Sequence, residues 1–187
     1  MDDLAALDAT AQAALVRTGE VSPEELLDAA INRIEKLQPR FNAFSALMFD
    51  EARETARSKD LPDGPFRGVP FAVKDLGFHL KGAPTYEGNR VLKELDFRSP
   101  TESPLGARIR AAGFVVLGKT ATPEFGTQPT TQSRAFGPTR NPWDPARSVS
   151  GSSGGSGAAV SSGMVAAAHA SDGGGSIRQP ASWCGLV

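Results

Sequence analysis

The sequence predicts an α/β fold in which a largely parallel or mixed β-sheet core is flanked by helices. Three observations lead there. The first 60 residues carry helical spacing, short apolar β-branched runs alternate with helical patterns from residue 66 onward, and 187 residues with 40% apolar content can bury one ordinary core.

In chain order, Leu4 to Val16 is Ala-rich and closes at Gly19, a residue suited to a left-handed helix end. Ser22-Pro23-Glu24-Glu25 places a hydroxyl at the N-cap, proline at the first helical position and a carboxylate at the third. Together they satisfy orphan N–H groups and preset φ. Leu27, Ala30, Ile31 and Ile34 follow on one face, and Pro39 is expected to end the helix. Asn42–Met48 reads as a strand leading into a helix over Glu51–Lys59. Gly68–Lys74 reads as a buried strand that ends on a lysine, and Gly77–Pro104 as a long turn-rich segment. Ser103-Pro104 opens a helix through Leu105, Arg108, Ile109 and Ala112 that Gly113 closes, before a buried strand over Phe114–Leu117. Lys119 is expected at a sheet edge, and Ala158 to Ala168 as a small-residue helix.

Composition excludes several classes of function. With 20 Lys+Arg against 21 Asp+Glu the net charge is −1, so there is no basic footprint for nucleic acid and no acidic tail. No apolar run approaches the roughly 20 residues that span a bilayer, so membrane insertion is not expected. Cys184, alone, makes no internal disulfide, and the start Met1-Asp2-Asp3-Leu4 is acidic where a signal peptide would be basic; a cytoplasmic protein is expected. The chain stops on the apolar run Cys184-Gly185-Leu186-Val187. The expectation from that ending is a truncated polypeptide whose exposed sheet edges and helix faces favour aggregation or weak activity.

Three motifs compete to carry chemistry. Gly113 to Thr120 matches the phosphate-loop pattern G-x-x-x-x-G-K-T, which makes nucleotide binding the reading of a different class. Its four central residues, Phe114, Val115, Val116 and Leu117, belong in a core, and Pro123 interrupts the helix that should follow. Gly151-Ser152-Ser153-Gly154-Gly155 fits G-x-S-x-G around Ser153, but that elbow needs a preceding strand and a histidine. His79 and His169 are the two available, and His169, among small apolar residues, reads as a packed side chain. Ser171-Asp172-Gly173-Gly174-Gly175-Ser176-Ile177-Arg178 allows close backbone approach. Such a turn can aim N–H groups at an oxyanion beside a hydroxyl nucleophile, or can be only a tight turn; the residues alone leave both open.

Five blocks together resemble the amidase signature family of serine hydrolases: Gly68 to Asp75, Ala112 to Thr120, Phe136 to Trp143, Gly151 to Ser156, and Asp172 to Pro180. The resemblance implies the amidase signature fold, here truncated after the nucleophile region, with residues 1–65 as an N-terminal helical segment and 66–187 as the first part of the catalytic domain. It also implies a Ser-Ser-Lys triad of Lys74, Ser152 and Ser176. Lys74 would be the neutral base, Ser152 the proton relay in a glycine loop that holds a cis peptide in the family, and Ser176 the nucleophile that forms an acyl-enzyme. Backbone N–H groups of Gly173, Gly174, Gly175 and Ser176 would form the oxyanion hole, supported by Ser153, Asp172 and Arg178. A lysine whose ordinary pKa is about 10.4 must be desolvated to act as a base near neutrality, and the apolar strand end Phe71-Ala72-Val73-Lys74 could supply that burial.

Within the family, Asp8-Ala9-Thr10-Ala11-Gln12, Gly118 to Gly126 and Thr139-Arg140-Asn141-Pro142-Trp143 resemble free-standing amidases of the 6-aminohexanoate cyclic-dimer hydrolase type. The alternative is the amide-hydrolysing component (GatA type) of the tRNA-dependent Glu/Asp amidotransferase, which hydrolyses the glutamine amide; that component usually has Met-Asp where Thr122-Pro123 stands here. A third reading is a folding module or pseudo-enzyme. The resemblance implies a small-molecule amide as partner, no direct nucleic-acid contact, no cofactor and no metal, and leaves a homodimer open. Gly77–Leu95 and Phe125–Thr131 are candidates for part of the substrate wall.

Overall fold

The computed structural model describes residues 2–187. The first helical run divides in two, α1 (Asp2–Ala5) and α2 (Ala9–Thr18), because Asp8 caps α2 by accepting the Ala11 N–H at 2.8 Å. Gly19 closes α2 at φ 75°. Helix α3 (Pro23–Phe41) begins at the expected capping box: Glu25 N–H donates to Ser22 Oγ, and Ser22 N–H donates to the Glu25 carboxylate. It does not end at Pro39. The proline lies in the last turn, where the carbonyl it leaves unpaired belongs to exposed Glu35 and can meet water, and Asn42 in the left-handed region caps the helix.

Strand β1 (Phe44–Leu47) leads into α4 (Phe49–Arg57), which starts two residues earlier than expected. Strand β2 (Pro70–Lys74) is buried along its whole length. The turn-rich segment holds one short helix, α5 (Arg90–Glu94), capped by Asn89, and α6 (Pro104–Ala111) follows from Ser103. Strand β3 (Val115–Thr120) then enters the middle of the sheet. A small hairpin of β4 (Gln132–Ser133) and β5 (Gly137–Pro138) precedes α7 (Gly154–Ser161) and α8 (Arg178–Cys184). Helix α7 stops seven residues short of the expected Ala168. Gly163, at φ 71°, turns the chain, and Ala168 runs beside β2 opposite Ala72.

The sheet order is β1-β3-β2, with β2 parallel and β1 antiparallel to β3, so the sheet is mixed. On one face Leu27, Ile31 and Ile34 of α3 pack with Leu117, Ala72 and Ala158; on the other, Phe71, Val73, Phe78 and Leu80 form a second cluster. These two layers make β3 central, which corrects the expectation of an edge position for Lys119. The same strand corrects the phosphate-loop reading: Val115 to Thr120 is buried strand rather than a loop before a helix, and Lys119 Nζ donates to Phe78 O at 2.8 Å. A register shift between Phe71 and Ala72, whose partners are Val116 and Gly118, inserts one residue into β3 and turns Lys119 from the α3 face to the Phe78 face. Lys74 and Thr120, paired across the strands, remain on the α7 side, where Thr120 Oγ1 meets Ser156 Oγ at 2.7 Å. Among the described residues no helix is long and apolar enough to cross a membrane.

Candidate active site

Lys74 ends β2 with its side chain fully buried beneath the loop that precedes α7. Its Nζ donates to Ser152 Oγ at 2.7 Å and to Ser171 Oγ at 3.0 Å, and lies 3.4 Å from the Ser171 carbonyl. Burial pulls the amine down to about 8, while the negative charge of Asp172 acts in the opposite direction. About a tenth of such a group is neutral at pH 7, against well under a thousandth for an exposed lysine.

Ser152 is held from both sides. The Gly151–Ser152 peptide is cis, and a side chain at Gly151 would stand 2.9 Å from the backbone of Thr130. Thr131 Oγ1 accepts the Gly154 N–H at 3.0 Å and donates to Ser150 O at 2.8 Å, tying the loop to the segment before it. Ser153, the centre of the G-x-S-x-G match, is buried and donates to Ser171 O at 3.2 Å, so it joins the loop to the next turn rather than to a histidine. His169 packs its ring against Phe78, 4.8 Å between centroids, and its backbone N–H donates to Ala72 O. Burial, then the charges of Lys74 and Lys119, lower its ring to about 4 and keep it neutral at pH 7.

The glycine turn folds around Asp172. Its carboxylate accepts the N–H groups of Gly175 at 2.6 Å, Ile177 at 3.1 Å and Arg178 at 3.3 Å, and pairs with the Arg178 guanidinium through two contacts of 2.9 Å. Arg178 first, and the Gly175 N–H next, hold this acid well below the usual carboxylate range. The Gly175 N–H, one of the expected oxyanion donors, is thereby engaged by Asp172. Gly173 and Gly174 are exposed and line the same cavity as Ser176, which measures about 420 Å³ and is also lined by Lys74, Ser152 and Ser171. Ser176 is thus brought to the cavity of the other two triad positions, but among the described residues no hydrogen bond links it to Ser152.

Two contributions escaped the sequence reading. Ser171, a second hydroxyl on Lys74, stands directly before the glycine turn, a position that its neighbour Asp172 could have signalled. The opposite wall is Leu76 with Gly126 to Pro129, inside one of the two segments expected to contribute.

A β-strand lysine beneath a glycine loop, facing a second serine-bearing turn, is an arrangement suited to acyl transfer through a hydroxyl. A family model described as amidase matches residues 25–187, and this chain belongs to the amidase signature family. Among curated relatives, the 6-aminohexanoate-cyclic-dimer hydrolase of Pseudomonas sp. (strain NK87) is 49% identical over 180 residues, which is 96% of this chain and 36% of that protein. The GatA-type component of the glutamyl-tRNA(Gln) amidotransferase of Prochlorococcus marinus is 48% identical over 179 residues, 90% of this chain and 35% of that protein. The chain therefore spans about a third of the length of the curated relatives it matches. A solved 6-aminohexanoate cyclic dimer hydrolase, complexed with substrate, superposes with a TM-score of 0.92 at 48% identity, over 98% of this chain and 37% of that one. A bacterial aryl acylamidase superposes at 0.87 with 36% identity, over 94% of this chain and 37% of that one.

Proposed function

We propose that this chain carries the reacting residues of a carboxylic-amide hydrolase that works through a Ser176 acyl-enzyme. The observation that carries the reading is the 2.7 Å contact between the buried, pKa-depressed Lys74 and Ser152, beside a cavity that Ser176 also lines. In the first step Ser176 Oγ attacks the amide carbon as its proton passes to Ser152 Oγ, and the Ser152 proton passes to neutral Lys74 Nζ. The tetrahedral oxyanion lies near the exposed Gly173 and Gly174 N–H groups. Collapse breaks the C–N bond, and the departing amine takes a proton back through Ser152, regenerating neutral Lys74. Water, deprotonated along the same route, then cleaves the ester to the carboxylic acid and free Ser176.

A small-molecule amide in a cytoplasmic setting fits the balanced charge and single cysteine. The likeness to 6-aminohexanoate-cyclic-dimer hydrolase supports a free-standing amidase acting on linear or cyclic amides. A second reading, glutamine amide hydrolysis within an amidotransferase, draws on the 48% identity to the GatA-type relative and is opposed by Thr122-Pro123. Ser176→Ala, made in the gene product at its natural length, is expected to abolish both release of aniline from simple anilides and labelling by an alkylphosphonate. An undiminished rate overturns the assignment.

A further inference from the structure

Beyond the wall formed by Gly126 to Pro129 lies a second cavity of about 360 Å³, and Gln128 lines both. Its other side is the β4–β5 hairpin, whose tip is tied down at several points. Asn42 Nδ2 donates to the carbonyls of Phe136 at 2.7 Å and Pro138 at 3.2 Å. Lys93 Nζ donates to Ala135 O at 2.7 Å and lies 4.3 Å from the Phe136 ring centre, and Ser133 Oγ accepts the Phe136 N–H at 3.2 Å. Between these anchors stands Arg134, exposed, lining the second cavity, and with no hydrogen bond or ion pair among the described residues. The acidic group in the same cavity, Glu124, is already engaged by Asn89 Nδ2. A fixed platform that presents a guanidinium without a partner, one residue's width from the catalytic cavity, suits a planar anion.

We infer that this second cavity is a distal subsite in which Arg134 receives a carboxylate at the far end of the substrate's acyl chain. The substrate class is then an amide of a dicarboxylic acid, with its reacting carbonyl near Ser176 and its free carboxylate past Gln128. The inference rests on the amidase reading for the position of the reacting carbonyl. Ion pairing with a partly shielded carboxylate is a contribution that changes affinity about tenfold.

The test uses the monoanilides of succinic, adipic and suberic acid, with the anilides of hexanoic and 6-aminohexanoic acid as neutral and cationic counterparts. Binding to the Ser176→Ala protein at its natural length is measured by calorimetry, and aniline release by the unmodified protein is followed separately. One chain length of the carboxylate series is expected to bind about tenfold more tightly than hexananilide, with that preference lost in Arg134→Gln and weakened by salt. Equal affinities, a preference for the ammonium compound, or a carboxylate preference that survives Arg134→Gln overturns the subsite. Hydrolysis of the neutral anilide reports on the amidase reading and carboxylate preference in binding reports on Arg134, so the two failures are distinguishable.

Discussion

Lys74 acquires its chemistry from its surroundings: the same amine on a surface would stay protonated throughout the neutral range. With its pKa drawn to about 8 by burial, the active neutral form is lost as pH falls. The expected kcat/KM therefore rises with pH, reaches half its plateau near pH 8 and levels above it, as a pH–rate profile would record. Lys74→Arg keeps the positive charge but cannot shed a proton in that range, so turnover should be absent across the whole profile. Ser171 makes a finer prediction. Its hydroxyl lies 3.0 Å from Nζ, and Ser171→Ala should lower kcat about tenfold with little change in KM, because a group that orients the base does not hold substrate. Lys74, Ser152 and Ser176 were legible as residues because their flanking motifs are contiguous in the chain. Ser171 was not, since its role depends on a contact across 97 positions.

Helix ends were readable where a local hydrogen bond decides them. Ser22, Asn89 and Ser103 each cap the helix that follows, but the short helix behind Asn89 was hidden in a segment that reads as turns. Ser22→Ala should lower the thermal unfolding midpoint by a few degrees, as scanning calorimetry would show. Helix α7 was legible only in part. Its glycines look like a loop, yet they allow its backbone to lie on the sheet: a side chain at Gly155 would stand 2.3 Å from Ala121 N and 2.6 Å from Ala43 O. Gly155→Ala should destabilise the protein by about 3 kcal/mol in denaturant unfolding. Gly157→Ala meets nothing closer than 3.3 Å, at Cys184 Sγ, and should be nearly neutral because the gain in helix propensity offsets the tighter contact. Equal losses at both positions would refute the backbone-packing account.

Across the whole molecule, the most consequential polar contact behind the site is between Lys119 and Asp75, 3.8 Å apart and both fully buried. Asp75 also accepts the Tyr86 N–H and the Ser45 hydroxyl, so one carboxylate ties β1, the end of β2 and the following loop together. Burial raises the Asp75 carboxyl to about 6 against the Lys119 charge, and lowers the Lys119 amine. Removing one partner leaves the other charge buried: Lys119→Met should cost about 3–5 kcal/mol, and Asp75→Asn in the same protein should recover part of it. A double variant no more stable than the single one would argue against a coupled pair. The chain by itself determined the fold class, the cap chemistry and the identity of the triad candidates, because each is written in residues close together in sequence. Only the tertiary structure decided that Lys119 is interior rather than marginal, that the Gly175 N–H serves Asp172, and that Arg134 stands beside the catalytic cavity. Those outcomes turn on one inserted residue in a strand, one carboxylate between two loops and one anchored hairpin, and each is a relation between segments that meet only after folding.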